Sequence, residues 1–199
     1  MARAALAAAA LALAACGPSD GPPPDAPAAP GGAAPSDARP ARDTATVSLE
    51  GTETPVALRL VRYPGLPAPF STYLPADWAD ETVASGEGTA VRFTTGEPPR
   101  QAALVVAFPA GGAAAAEAQA RAVLDGAADV REPETAEPWV AFGRAFVRDG
   151  AYGSVRVGEH GGTAFVVTER VPFDRGDGFY PRTAVVLERL RWLDTGGGL

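Results

Sequence analysis

A single histidine, a single cysteine and no lysine leave this chain of 199 residues few routes to covalent chemistry. Without lysine there is no Schiff-base nucleophile and no phosphate-binding lysine of the Walker type, and one Cys with one His cannot complete a Cys/His zinc site. Glu159 and His160 are adjacent, a carboxylate beside an imidazole that could serve as an acid/base pair. They sit in Gly158-Glu159-His160-Gly161-Gly162, which is turn chemistry without a Ser or Cys nucleophile motif, so a polar hairpin tip is the preferred reading. The richest polar stretch holds Arg170, Asp174, Arg175, Asp177 and Arg182 among glycines and aromatic residues. These five are the candidate ligand-binding residues, with Arg suited to an anion and the Asp pair to Ca²⁺, although the EF-hand ligand set is incomplete. A solvated loop with internal ion pairs is the competing reading. Glu132, Glu134 and Glu137, set among Pro133 and Pro138 just before Trp139, read as an acidic connecting loop. Trp78, Trp139 and Trp192 either line a ligand groove or, as large aromatics in a small domain usually do, fill the core.

The 17 basic residues, all Arg, face 24 Asp and Glu, for a formal charge of -7, which is a poor balance for binding nucleic acid. With 46% hydrophobic and 21% charged residues the chain has material for one globular core. No residue pattern calls for a cofactor or a metal.

The N-terminus is an address rather than a core element. Arg3 is followed by an uninterrupted run of Ala and Leu from Ala4 to Ala15, a charged region and a twelve-residue apolar region in the order of an export signal. The run stops at Gly17-Pro18, well short of the roughly 20 apolar residues that a membrane span needs. Leu13-Ala14-Ala15-Cys16 resembles the lipobox of bacterial lipoproteins. That resemblance implies a diacylglycerol on the Cys16 thiol, cleavage before Cys16 and a chain held to the membrane by its acyl groups. Two or more acyl chains, at about 0.8 kcal/mol per buried methylene, hold far more firmly than one. The expected location is the extracytoplasmic side of the cell envelope, and Gly17 in place of Asp leaves outer-membrane sorting open.

Residues 1–15 therefore read as signal peptide and 16–43 as lipidated Cys and tether. From Gly17 to Arg42 the chain carries eight prolines and no Val, Ile, Leu, Met or aromatic residue, so it cannot fill a core. Its reach is roughly 80 Å if polyproline-like and about 30 Å as a flexible coil. Every aromatic residue follows position 43, and residues 44–199 are expected to form a single α+β domain. Alternating segments predict strands at Val56–Leu60, Ala90–Thr94, Ala103–Phe108, Val140–Arg148, Gly153–Gly158 and Thr163–Val171, the last two as a hairpin. In the Val140–Arg148 strand Phe142, Arg144, Phe146 and Arg148 share one side, and the small residues opposite them suit a helix. An Ala-rich helix is predicted at Ala113–Ala127, supported by Glu117 and Arg121 four apart. A second, amphipathic helix is predicted from Pro181 to Leu193, with Val186, Leu187, Leu190 and Leu193 as its stripe. One antiparallel sheet with both helices packed on it is the expected fold, and an all-β sandwich with peripheral helices is the competitor.

This element order, together with Pro69-Phe70-Ser71-Thr72-Tyr73-Leu74-Pro75-Ala76-Asp77-Trp78 and the final helix, resembles the PsbP/Mog1 group of α/β/α sandwiches. That group includes envelope lipoproteins, and the resemblance implies a binding or assembly scaffold while transferring no functional residue. The leading functional expectation is a lipid-anchored envelope protein that binds an envelope protein or small ligand without chemistry. The alternative is an envelope hydrolase using Glu159 with His160, or Asp174 and Asp177 with a metal.

Overall fold

Alternation along the central strands decides how the layers stack. In β10 (Thr163–Pro172) Ala164 and Val166 point one way and Phe165, Val167, Glu169 and Val171 the other, and both sets are buried. A strand buried on both faces must lie between two layers. The computed structural model, which describes residues 37–98, 100–133 and 137–199, is accordingly a layered α+β fold. Cys16 and Glu134 lie outside the described residues.

The remaining elements are β1 (Arg42–Leu49), β2 (Thr52–Tyr63), β3 (Phe70–Pro75), β4 (Ala79–Ser85), β5 (Gly88–Thr95), β6 (Ala102–Pro109), α1 (Gly112–Leu124), β7 (Ala128–Arg131), β8 (Phe142–Arg148), β9 (Ala151–His160), α2 (Gly176–Glu188) and β11 (Arg191–Trp192). Strands pair antiparallel into a seven-stranded sheet, β4-β5-β6-β10-β9-β8-β7, and a four-stranded sheet, β1-β2-β3-β11. The expected single sheet is thus two. The reason is β3: all six of its residues are buried, with Phe70 and Leu74 in one apolar cluster and Tyr73 in another, so it is the interior strand of a second layer.

Helix α1 covers one face of the large sheet through Ala116 and Ala120, which meet Ala107, Val155, Val157, Ala164 and Phe146. Alanines let the helix axis approach the sheet closely, so small side chains here are a packing device. The other face carries Leu104, Val106, Phe108, Phe165 and Val167, and packs against Phe70, Leu74 and Trp192 of the small sheet and Phe179, Val186, Leu187 and Leu190 of α2. Both helices cover sheet faces, so the fold is not a sandwich with peripheral helices.

Two expectations need correcting. In β8 the bulky side, with Phe142 and Phe146, lies with the α1 cluster, whereas Ala145 and Gly143 face away from the helix. The second helix runs Gly176–Glu188 rather than Pro181–Leu193, with Pro181 inside it. It stops early because Trp192 is pulled into the core, where β11 pairs with Phe70 and Ser71 of β3, a gain that outweighs one more helical turn. The Val186, Leu187 and Leu190 part of the stripe is buried as expected. At the N-terminal side β1 begins at Arg42, and residues before it already pack. Arg39 donates to Asp37, to the Ser71 hydroxyl and to the Arg189 carbonyl, while the Tyr73 hydroxyl donates to the Pro40 carbonyl. Among the described residues no helix is long and apolar enough to cross a membrane.

Candidate functional site: a polar groove between α2 and the large sheet

Past the point where the small sheet covers β10, the outer face of β8–β9–β10 is left open beside α2. Strand alternation puts Tyr152, Ser154 and Arg156 of β9 on this face, along with Glu169, which stands in the row otherwise occupied by Phe165, Val167 and Val171. The register sets Ser154 directly opposite Glu169 and Arg156 opposite Val167, making Arg156 a diagonal neighbour of Glu169. The Ser154 hydroxyl donates to Glu169 Oε2 at 2.7 Å, and Arg156 Nη2 donates to the same oxygen. Arg156 Nη1 donates to both oxygens of Glu137, at 2.9 and 3.0 Å. The side chains of Arg156 and Glu169 are only 13% and 6% exposed, against 33% for Glu137, so this is a largely buried ionic network. Its neutralising charge matters because an unpaired ion at this depth would cost several kcal/mol. Buried Arg156 Nε has no acceptor among the described residues.

The network sits at the junction of two clefts, of about 690 and 390 Å³, which share Glu137, Arg156, Glu169 and Tyr180. The larger opens over Ala145 and Ser154 and is flanked by Asp129, Arg131 and Glu132. The smaller is closed by Trp139, Thr183, Leu187 and Glu188. Trp139 stacks on Phe165 at 5.6 Å and lies beneath the Arg156 guanidinium, 5.9 Å from the ring centroid. Burial, with the charge of Glu169, pushes the Tyr180 hydroxyl up to about 12, so it is neutral near pH 7.

The sequence candidates fall elsewhere and apart. Arg170 and Asp174 line a separate shallow cleft with Arg100, which pairs with Asp174 at 2.9 Å. Arg175 reaches toward Gly96, Arg182 pairs with Asp77 at 3.1 Å, and Asp177 is in the first turn of α2. His160 is not paired with Glu159. Its Nε2 lies 2.9 Å from Asp194, and its ring stacks on Trp192 at 4.2 Å. That bond holds the exposed Asp194 carboxyl below its ordinary range. Trp78 and Trp192 are core residues, and only Trp139 borders the groove. Glu132 and Glu137 of the acidic loop pair with Arg144 and Arg156. Among the described residues no three His, Cys, Asp or Glu side chains cluster in a metal-holding arrangement.

Sequence reasoning missed Arg156, Ser154 and Glu169. The signal was present in the strand parity: Glu169 is the one charged residue in the row Phe165, Val167, Glu169, Val171. A charge inside an apolar stripe demands a partner.

No protein-family model and no curated protein matches this chain. Among solved structures the chain is similar to cyanobacterial PsbP (CyanoP) from Synechocystis sp. PCC 6803, with 17% identity over 67% of this chain and 92% of that one and a TM-score of 0.42.

Proposed function

We propose that this chain is a lipid-anchored protein of the cell envelope whose folded domain binds a ligand or partner in the groove beside α2 without performing chemistry on it. The anchor rests on the sequence: Arg3, the apolar run and Leu13-Ala14-Ala15-Cys16 occur in the order that lipoprotein processing uses. The binding function rests on where apolar surface is left uncovered. Of the five large hydrophobic residues exposed among the described residues, Tyr152 and Tyr180 line the larger cleft and Phe173 packs on Tyr152 at its edge, with ring centroids 4.6 Å apart, whereas Val83 and Val130 are not part of its lining. Exposed apolar groups concentrated around a cleft with convergent polar side chains mark a binding surface.

The anchor is tested by replacing Cys16 with Ser in a producing bacterium and labelling with palmitate. The variant should lose the label and the processing step; labelling equal to that of the native chain refutes the anchor. The binding surface is tested by cross-linking in cells. A partner should be recovered with the native domain and lost with Tyr152→Ser plus Phe173→Ser, whereas recovery of the bait alone counts against a protein partner.

A further inference from the structure

Past β11 the chain folds back onto its own groove. Residues 194–198 run exposed over the surface, and Leu199 then returns to the protein, half-buried. It packs against the apolar cluster that holds Phe165, Leu187 and Trp192, and forms a wall of the smaller cleft beside Trp139.

This strap, residues 195–199, has the make-up of a displaceable contact. Two backbone hydrogen bonds tie it to Trp192: the Gly196 N–H donates to the Trp192 carbonyl at 2.7 Å, and the Trp192 N–H donates to the Gly197 carbonyl at 2.8 Å. Leu199 is its one apolar side chain. Against these stands the ordering of Gly196, Gly197 and Gly198, the residue type that loses most conformational freedom when fixed. The base of the strap is held more firmly. His160 Nε2 lies 2.9 Å from Asp194 and the His160 ring stacks on Trp192, while β11 pairs with β3, so the strap can lift without unravelling the strand before it.

Leu199 also shows what its seat accepts. Trp139, Ala184 and Leu187 make that part of the cleft apolar, and the cleft continues past Arg156, Glu169 and Tyr180 into the larger one. An extended segment lying along the groove would reach the seat with an aliphatic side chain, and would meet Leu199 there.

We propose that residues 195–199 are an autoinhibitory strap: Leu199 takes the place in the smaller cleft that an aliphatic side chain of a partner peptide takes when it binds, and each excludes the other. The proposal rests on the groove being a binding surface and adds the class of side chain it recognises and the contact that limits access to it.

The test uses the chain from position 16 with Cys16→Ser, and supplies the strap in trans as the acetylated, amidated peptide Thr-Gly-Gly-Gly-Leu, with Thr-Gly-Gly-Gly-Ser as control. Binding is read by NMR at the Trp139 indole and by acrylamide quenching, which reports on Trp139 because Trp78 and Trp192 are only 2% and 3% exposed. A strap closed about nine-tenths of the time weakens apparent binding about tenfold. With an effective concentration in the millimolar range for so short a linker, the open cleft should bind the peptide at about millimolar or tighter, within reach of titration. Leu199→Ser should therefore bind the leucine peptide about tenfold more tightly than the native strap allows, and its Trp139 should quench more readily. Gly196→Ala keeps Leu199 and offers an independent variant. Its Cβ would meet nothing within 4 Å, but the closed strap needs φ of 72° there, so closure should weaken about fivefold. The open fraction then rises from about one-tenth to about one-third, and binding tightens about threefold. Equal binding by the native chain and both variants overturns the strap and leaves the groove as a binding surface. Binding of the serine peptide as well as the leucine peptide overturns the aliphatic seat. Failure of Leu199→Ser to bind the leucine peptide overturns the proposal as a whole, while the groove itself stands or falls with cross-linking at Tyr152 and Phe173.

Discussion

Replacing Arg156 by Met removes the one guanidinium that holds two carboxylates under the groove. Glu137 is one-third exposed and can turn to water, but Glu169, with a side chain 6% exposed, is left with only the Ser154 hydroxyl. Breaking a buried ion pair from one side costs about 3–5 kcal/mol. Because the Glu169 side chain keeps 6% exposure and the Ser154 hydrogen bond, the lower end applies, about 3 kcal/mol. At about 2–4 °C per kcal/mol for a domain of this size, the midpoint of thermal unfolding should fall by about 6–12 °C. Circular dichroism on heating and urea titration measure the loss in the chain from position 16 with Cys16→Ser. The decisive companion is Arg156→Met with Glu169→Met, which buries neither charge. It should recover all but about 1 kcal/mol, because an apolar pair of similar volume avoids the desolvation penalty. A loss below about 0.5 kcal/mol in the single variant, or a double variant no more stable than the single one, would refute the account of the network as a coupled buried pair.

Three further outcomes follow from named contacts. Asp37 is held well below the usual carboxylate range, first by the Arg39 side chain, so its contribution should be complete above about pH 4 and lost as pH falls through its lowered native value. Asp37→Asn should therefore cost about 1 kcal/mol at pH 7 and progressively less in acid, as read by urea titration across pH. A Cβ at Gly158 would sit 2.6 Å from the Phe165 ring and 3.0 Å from the Trp139 carbonyl, so Gly158→Ala should destabilise by about 2 kcal/mol and move the Trp139 indole signal. The Asp194 carboxyl should titrate below its ordinary value by carbon-detected NMR and return toward it in His160→Gln; an unchanged titration would show that the imidazole bond is not its cause.

What holds the two sheets together here is readable residue by residue. Asp80 of β4 takes the Arg59 guanidinium and the Tyr63 hydroxyl of β2, both at 2.7 Å. Burial works to raise the Asp80 carboxyl, but those two hydrogen bonds outweigh it and leave it below its ordinary value. Burial and the bond to Asp80 together push the Tyr63 hydroxyl far up, so the phenol stays protonated and donates to Asp80 near neutral pH. None of these three residues stood out in the sequence, because each is unremarkable within its own strand.

By itself the sequence determined the elements whose signals are local. The strands β5, β6, β8, β9 and β10 follow from alternation, and α1 from its alanines, because side-chain period and helix propensity act within a few residues. The hairpin between β9 and β10 was equally legible. Its two-residue turn, Gly161 and Gly162 with φ of 55° and 81°, needs positive φ at both positions, which glycine adopts without strain. Only the tertiary structure decided the second sheet, the helix that yields Trp192 to a strand, and the docking of Arg39 and Pro40. It alone also brought Arg156, Glu169 and Glu137 together, from two neighbouring strands and a loop. These depend on which surfaces meet across the core, where burial and charge pairing between distant residues outweigh local preference.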